Sequence, residues 1–178
     1  MEHRKELTDI IVNDKLMIQT LRIVKNLNLN DCWIGAGFVR NKVWDFLHGQ
    51  NTIKLTDTDV VFFDQSNISE TLEKEIELKL TQTDPKTSWS VKNQARMHLR
   101  NNHPRYSNTE NAISHWPETA TAIAVRLNSK NIVEILAPYG LNDLFDLIVK
   151  PTPHFDSALF QKRVNEKQWG KQWGKLKI

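Results

Sequence analysis

The chain has 178 residues, enough for one domain with a substantial core and short for two. Hydrophobic residues make up 39% and charged residues 25%, and a formal charge of +3 favours anionic partners only mildly. The single Cys32 excludes an intramolecular disulfide and a thiolate metal cluster, and no signal-peptide core or membrane span is visible, so a cytoplasmic protein is expected.

From the N-terminus, Leu7, Ile10, Ile11, Leu16, Ile18, Leu21, Ile23 and Val24 recur at helical spacing, which predicts one amphipathic helix over about residues 6–26. A short strand is expected at Cys32–Ile34, then a helix over Gly37–Leu47 with Phe38, Val43, Trp44 and Leu47 on its apolar side. "GQNTIKLT" is a loop, Asp59–Phe63 a continuous apolar strand, and Ser69–Leu80 an acidic surface helix. "SWSVKNQARMHLRN" predicts a strand entering a helix, and "TENAISHW" a short helix stopped by Pro117. Thr119–Leu127 alternates as a strand and turns through "NSKN" into Ile132–Leu136, a hairpin. "PYGLNDLF" gives a turn and a further short element, and a C-terminal helix covers about residues 156–170. Helices and strands interleave without a long linker, so residues 1–178 are expected to form a single α/β (α+β) unit with a mixed sheet flanked by helices.

Two stretches carry chemistry. In "LTDTDVVFFD", Asp57 and Asp59 stand two apart where a strand begins, so both carboxylates project to one face. Ionised side by side they repel unless a cation lies between them, and magnesium suits a site with few carboxylates and room for substrate phosphate. A bare D-x-D is short enough to be a surface pair before a strand. In "IGAG", Gly35, Ala36 and Gly37 leave a strand and open a helix, where backbone amides at the positive helix end can approach an anion. Arg40 occupies the position that excludes a dinucleotide fingerprint, and no Gly-Lys-Ser/Thr follows to make a Walker loop. Turn, helix and D-x-D in succession are far more specific than either part alone.

That succession resembles the nucleotidyltransferase superfamily of DNA polymerase beta and the tRNA CCA-adding enzymes. More closely, "GAGFVRNKVWD", "TDTDVVFFD", "WSVKNQARMH", "WPETATAIAVRL", "APYGLNDLF" and "KRVNEKQWGKQWGKL" resemble bacterial nucleotidyltransferase-like proteins of unassigned substrate, from about residue 33 to the C-terminus. The resemblance implies a nucleotidyltransferase fold and transfer of a nucleoside monophosphate from an NTP to an acceptor hydroxyl. The acceptor stays open among RNA, protein and a small molecule, and a non-catalytic nucleotide- or RNA-binding module on the same fold is the alternative. Gly35, Ala36, Gly37 and Arg40 would hold the nucleotide, and Asp57 and Asp59 would ligate Mg²⁺, with two ions expected. The superfamily's third carboxylate is sought at Glu134 in "NIVEILAP", which reads equally as a strand-edge glutamate paired with a lysine. In "KNQARMH", Asn93, Arg96 and His98 would contact phosphate, sugar or base, or else serve as a helix cap and core groups. Arg126 is a weaker phosphate candidate, more naturally an ion-pair partner. The tail places Lys167, Lys171 and Lys175, and Trp169 and Trp173, at four-residue spacing; docking of the tryptophans on the core is favoured over a polynucleotide surface. Cys32 is expected to be a small buried group rather than a nucleophile.

Overall fold

The computed structural model describes residues 2–50 and 57–178. Most of the expected loop "GQNTIKLT", residues 51–56, lies outside the described residues. The predicted N-terminal helix is two helices, α1 (Glu2–Val12) and α2 (Lys15–Lys25). Apolar spacing runs through the break, but Asp14 ends the continuity. Its carboxylate accepts from the amides of Leu16 (2.9 Å) and Met17 (3.0 Å) and so caps a new helix. β1 (Trp33–Gly35) leads into α3 (Gly37–Leu47), and β2 (Thr58–Phe62) into α4 (Glu70–Thr83). β3 (Trp89–Asn93) runs directly into α5 (Gln94–Asn101), followed by α6 (Thr109–Ile113). The hairpin is β4 (Ala124–Leu127) and β5 (Val133–Leu136), and α7 (Asn142–Phe145), α8 (Ser157–Lys167) and α9 (Trp169–Gln172) complete the order.

The alternating stretch 119–123 is not strand. Thr121 and Ala122 turn their amides onto the Glu118 carbonyl at 3.0 and 2.9 Å, so the ladder begins only at Ala124. Strands stand in the order β3-β2-β1-β4-β5. β1 is antiparallel to both neighbours, β4 to β5 likewise, and β2 and β3 are parallel across the α4 connection. The sheet is therefore mixed, as expected.

Period-two alternation divides the strands between two faces. Ile34, Val60, Phe62, Val91, Val125 and Leu127 join the main core with Leu7, Ile11, Met17, Leu21, Phe38, Val43 and Trp44 from α1, α2 and α3. Trp33, Val61 and Ala124 face the other way and pack with Ile113 and Trp116. The C-terminus belongs to the main core. Trp169 and Trp173 are 5% and 2% exposed, and both meet the fully buried Trp44 edge-on, at 6.0 and 5.1 Å between centroids. Trp173 donates its indole N–H to buried Asp45 (2.8 Å), which satisfies the polar end of the ring. Of the two expectations for the tail, docking is what the structure shows.

Candidate nucleotide site

The site starts at the junction of β1 and α3. Gly35 pairs with Asp59 on one side and Ala124 on the other, so the turn and the second aspartate are neighbours across the sheet. Glycine is required here by space. A Cβ on Gly35 would lie 2.8 Å from Trp116 Cη2 and 2.9 Å from the Ile123 carbonyl oxygen. The unusual backbone falls instead on Ala36, at φ 54° and ψ −124°, a combination that costs a non-glycine residue about 1–3 kcal/mol. Its amide donates to Ile123 O (3.2 Å), and its carbonyl accepts from Val39 and Arg40 as α3 begins. Among the described residues no side chain caps that helix end, which suits its first amides to an anion.

Asp59 lies on β2 and Asp57 two residues before it, exposed at the strand's entrance. Burial holds the Asp59 carboxyl above the usual range and Asp57 pushes it further up, while a hydrogen bond from Ser90 and the charges of Arg40 and Lys167 pull it down. Three cations surround the pair. Arg40 is 8% exposed; its Nη1 donates to Thr121 Oγ1 (2.7 Å), and its Nε and Nη2 donate to Asn41 Oδ1 (3.2 and 2.9 Å). Its guanidinium lies 5.1 Å from the Trp44 ring and 4.8 Å from that of Trp169. Burial brings its pKa down to about 10, partly offset by Glu118, so it stays charged at neutral pH. Arg163 and Lys167 arrive from α8, and Arg163 Nε donates to Glu118, which is completely buried.

Ala36, Gly37, Arg40, Asp57 and Asp59 line one cavity of about 330 Å³, together with Thr121, Arg163, Lys167 and Trp169. A second lobe of about 260 Å³ shares Ala36, Asp59, Thr121 and Arg163 with it and extends over Val61, Lys92, Gln94, Met97 and Trp116. Five of the residues expected to hold nucleotide or metal thus meet in one cleft, and Gly35 stands next to it, paired with Asp59.

Glu134 does not join them. It lies on the edge strand β5, across from Arg126, and accepts from Arg126 Nε (2.7 Å) and Asn128 Nδ2 (3.2 Å). Arg126 also stacks 4.0 Å over Trp33, so it is the ion-pair partner its sequence context suggested. Asn93 is completely buried and caps α5 through Ala95 N (3.0 Å), while its amide nitrogen donates to the carbonyls of Asp64 and Asn67. Arg96 grips Glu73 with two nitrogens, at 2.8 and 2.7 Å, and pairs with Glu70. His98 packs edge-on against Tyr106. Neither lobe is lined by these three, because Asn93 and Arg96 are drawn into local bonds around α4 and α5. Cys32 is half-buried, and loss of hydration pushes its thiol up to about 12, which leaves no thiolate for nucleophilic work. Glu118, Thr121 and Arg163 lie within the blocks "WPETATAIAVRL" and "KRVNEKQWGKQWGKL", but none was singled out there as a site residue. Arg163 and Lys167 did share a four-residue spacing, a signal for one helix face.

A family model described as a nucleotidyltransferase family matches residues 22–178. Among solved structures, the chain is 35% identical to a protein whose NMR structure was described as revealing a CCA-adding enzyme head domain, with 97% of this chain and 93% of that one covered and a TM-score of 0.87. Two longer proteins share the fold at 14% identity and a TM-score of 0.56, a CCA-adding enzyme in complex with ATP and the Thermotoga maritima CCA-adding enzyme in complex with tRNA. The chain spans 42% and 39% of their lengths. No curated protein sequence matches it. The family match over residues 22–178 and the head-domain likeness over nearly the whole chain agree with the turn-and-aspartate geometry, and the chain belongs to the nucleotidyltransferase family, with the fold of a CCA-adding enzyme head domain.

Proposed function

We infer that the protein transfers a nucleoside monophosphate from an NTP to an acceptor hydroxyl. The observation that carries this is the register of Gly35 with Asp59, which sets the start of α3 beside Asp59 on β2, with Asp57 at that strand's entrance. The acceptor oxygen would form a bond to the α-phosphorus and give up its proton to water, and the bond from the α-phosphorus to the bridging oxygen would break with its electron pair leaving on pyrophosphate. The amides at the start of α3 would bind phosphate oxygens, and the buried Arg40 charge would favour the negative charge gathering there. The carboxylates of Asp57 and Asp59 suit magnesium: hard oxygen donors, like-charged, one of them desolvated. Among the described residues no third His, Cys, Asp or Glu completes a three-ligand group with them, which leaves room for phosphate oxygens and water. Two Mg²⁺ ions held there would supply Lewis-acid charge at the reacting phosphate and the leaving group.

A second reading, a nucleotide- or RNA-binding module without turnover, is favoured by the position of Glu134 outside the cleft. No helix among the described residues is long and apolar enough to cross a membrane. Each labelled NTP, incubated with Mg²⁺ and separate RNA, protein and small-molecule fractions, should give label on one acceptor class and release pyrophosphate. Binding of Mg-NTP without transfer to any fraction would favour the module, and absence of binding would refute both.

A further inference from the structure

α8 buries none of its side chains, and it touches the rest of the protein through Phe160, Arg163 and Val164, all half-buried. Yet it delivers two cations to the cleft. Arg163 and Lys167, one helical turn apart, both line the cavity that holds Asp57 and Asp59. The commitments of the site's two arginines differ. Arg40 spends Nε, Nη1 and Nη2 on Asn41 and Thr121. Arg163 donates Nε to Glu118, and no other hydrogen bond of Arg163 is found among the described residues. A guanidinium held by Nε keeps its plane fixed and its two terminal nitrogens available, the pair suited to bidentate contact with phosphate. Trp169 backs this arrangement, with the Arg163 guanidinium 5.7 Å from its ring.

We propose that Arg163 and Lys167 form a polyphosphate arm that takes the two terminal phosphates of a nucleoside triphosphate, with Glu118 as the positioning residue that holds Arg163. The identity of the substrate as an NTP rests on the nucleotidyltransferase reading above. The anion chemistry rests on the arm itself. Charge balance supports it: Asp57, Asp59 and Glu118 face Arg40, Arg163 and Lys167, and a magnesium-bound triphosphate adds cation beside the aspartates and anion beside α8. The arm makes the site a triphosphate reader, because it adds two cations from α8 to the amides of the α3 turn.

Calorimetric titration with inorganic tripolyphosphate and with each nucleoside monophosphate, in Mg²⁺, tests this. The parent should bind tripolyphosphate, and Lys167→Gln and Arg163→Lys should each weaken that binding on the order of tenfold or more. Monophosphate affinity should stay within about twofold in both. Glu118→Gln should weaken tripolyphosphate binding with Arg163 still present. Arg163→Gln strands the buried Glu118 charge and risks the fold, so the exposed Lys167 and the charge-conserving Arg163→Lys carry the test. A parent that does not bind tripolyphosphate, or variants with unchanged tripolyphosphate affinity, or equal losses for monophosphate and tripolyphosphate, would overturn the proposal. Tripolyphosphate binding that depends on Lys167, in a protein that transfers no label, would confirm the arm and refute the transferase.

Discussion

Adding one methyl group at Gly35 tests whether the turn is packed as described. The new Cβ would meet Trp116 Cη2 at 2.8 Å and Ile123 O at 2.9 Å. Each contact must open by roughly 0.7 Å to reach the ordinary ~3.5 Å separation. The indole has some freedom to swing, being half-buried. The Ile123 carbonyl has little, since it accepts from Ala36 N where β4 begins. Overpacking of this kind costs about 1–3 kcal/mol, and weakening that hydrogen bond adds about 0.5–1.5 kcal/mol. Replacing a strand glycine by alanine returns about 0.5–1 kcal/mol of chain entropy, so the net loss should be about 2 kcal/mol. For a chain of this size that lowers the melting temperature by roughly 4–8 °C. The assay is thermal unfolding of the parent, Gly35→Ala, Trp116→Phe and the double variant. Phenylalanine lacks the ring atoms that collide, so the double variant should be more stable than the two single losses predict, with the Ile123 share remaining. A Gly35→Ala protein that melts within about 1 °C of the parent, or strict additivity in the double variant, would refute the packing argument.

Three further outcomes follow from the site. Because burial and Asp57 raise the Asp59 pKa in the folded state, stability is fully present below the unfolded value of 3.8 and declines as pH rises through the folded pKa; Asp59→Asn should therefore melt at or above the parent at pH 7, with the gap closing in acid, and lose Mg-dependent NTP binding. Early melting at pH 7 with NTP binding intact would count against that reading. Asn93→Ala removes the α5 cap and the bonds to Asp64 and Asn67, and should cost about 3 kcal/mol in denaturant titrations while the folded protein keeps its nucleotide affinity. Glu134→Gln loosens a half-exposed pair worth less than about 1 kcal/mol and should leave transfer rates unchanged; a loss beyond about tenfold would return Glu134 to the chemistry.

How much of this was legible depended on the range of the interactions. The bounds of α3 and the β3–α5 junction were visible because apolar spacing, glycines and a capping Asn93 are local signals. The break at Asp14 was legible in principle as an N-cap, but apolar spacing on either side outweighed it. The stretch 119–123 alternates like a strand, yet the amides of Thr121 and Ala122 turn back on the Glu118 carbonyl and that of Thr119 bonds to the distant Lys150 carbonyl. Within the site, the turn and the aspartates share one short segment, so their spacing announced them. Arg163 and Glu118 become partners only when α8 folds back, and no local pattern marks such a pair. Glu134 and Asn93 took the alternatives the sequence also offered, an ion pair (with Arg126) and a helix cap, while Arg96 is held by Glu73, which no local pattern marked.

α8 is fastened more firmly at its ends than along its length. Ahead of it, Thr152 bonds to the carbonyls of Pro117 and Trp116, and His154 stacks on His115 at 4.2 Å. Behind it, Trp169 and Trp173 are sunk in the core. Between those ends, among the described residues, α8 is held only by half-buried Phe160 and Val164 and by the pair of Arg163 with buried Glu118, which makes it a candidate for sub-global opening, in which a segment melts and re-forms while the rest stays folded. Backbone amides of α8 should then exchange with deuterated solvent well before those of α3 or β2, and tripolyphosphate should slow them selectively. Asp59 and Arg40 would stand on well-buried elements, and Arg163 and Lys167 on one of the least protected. Such an arrangement would let product depart without disturbing the strand that holds the aspartates.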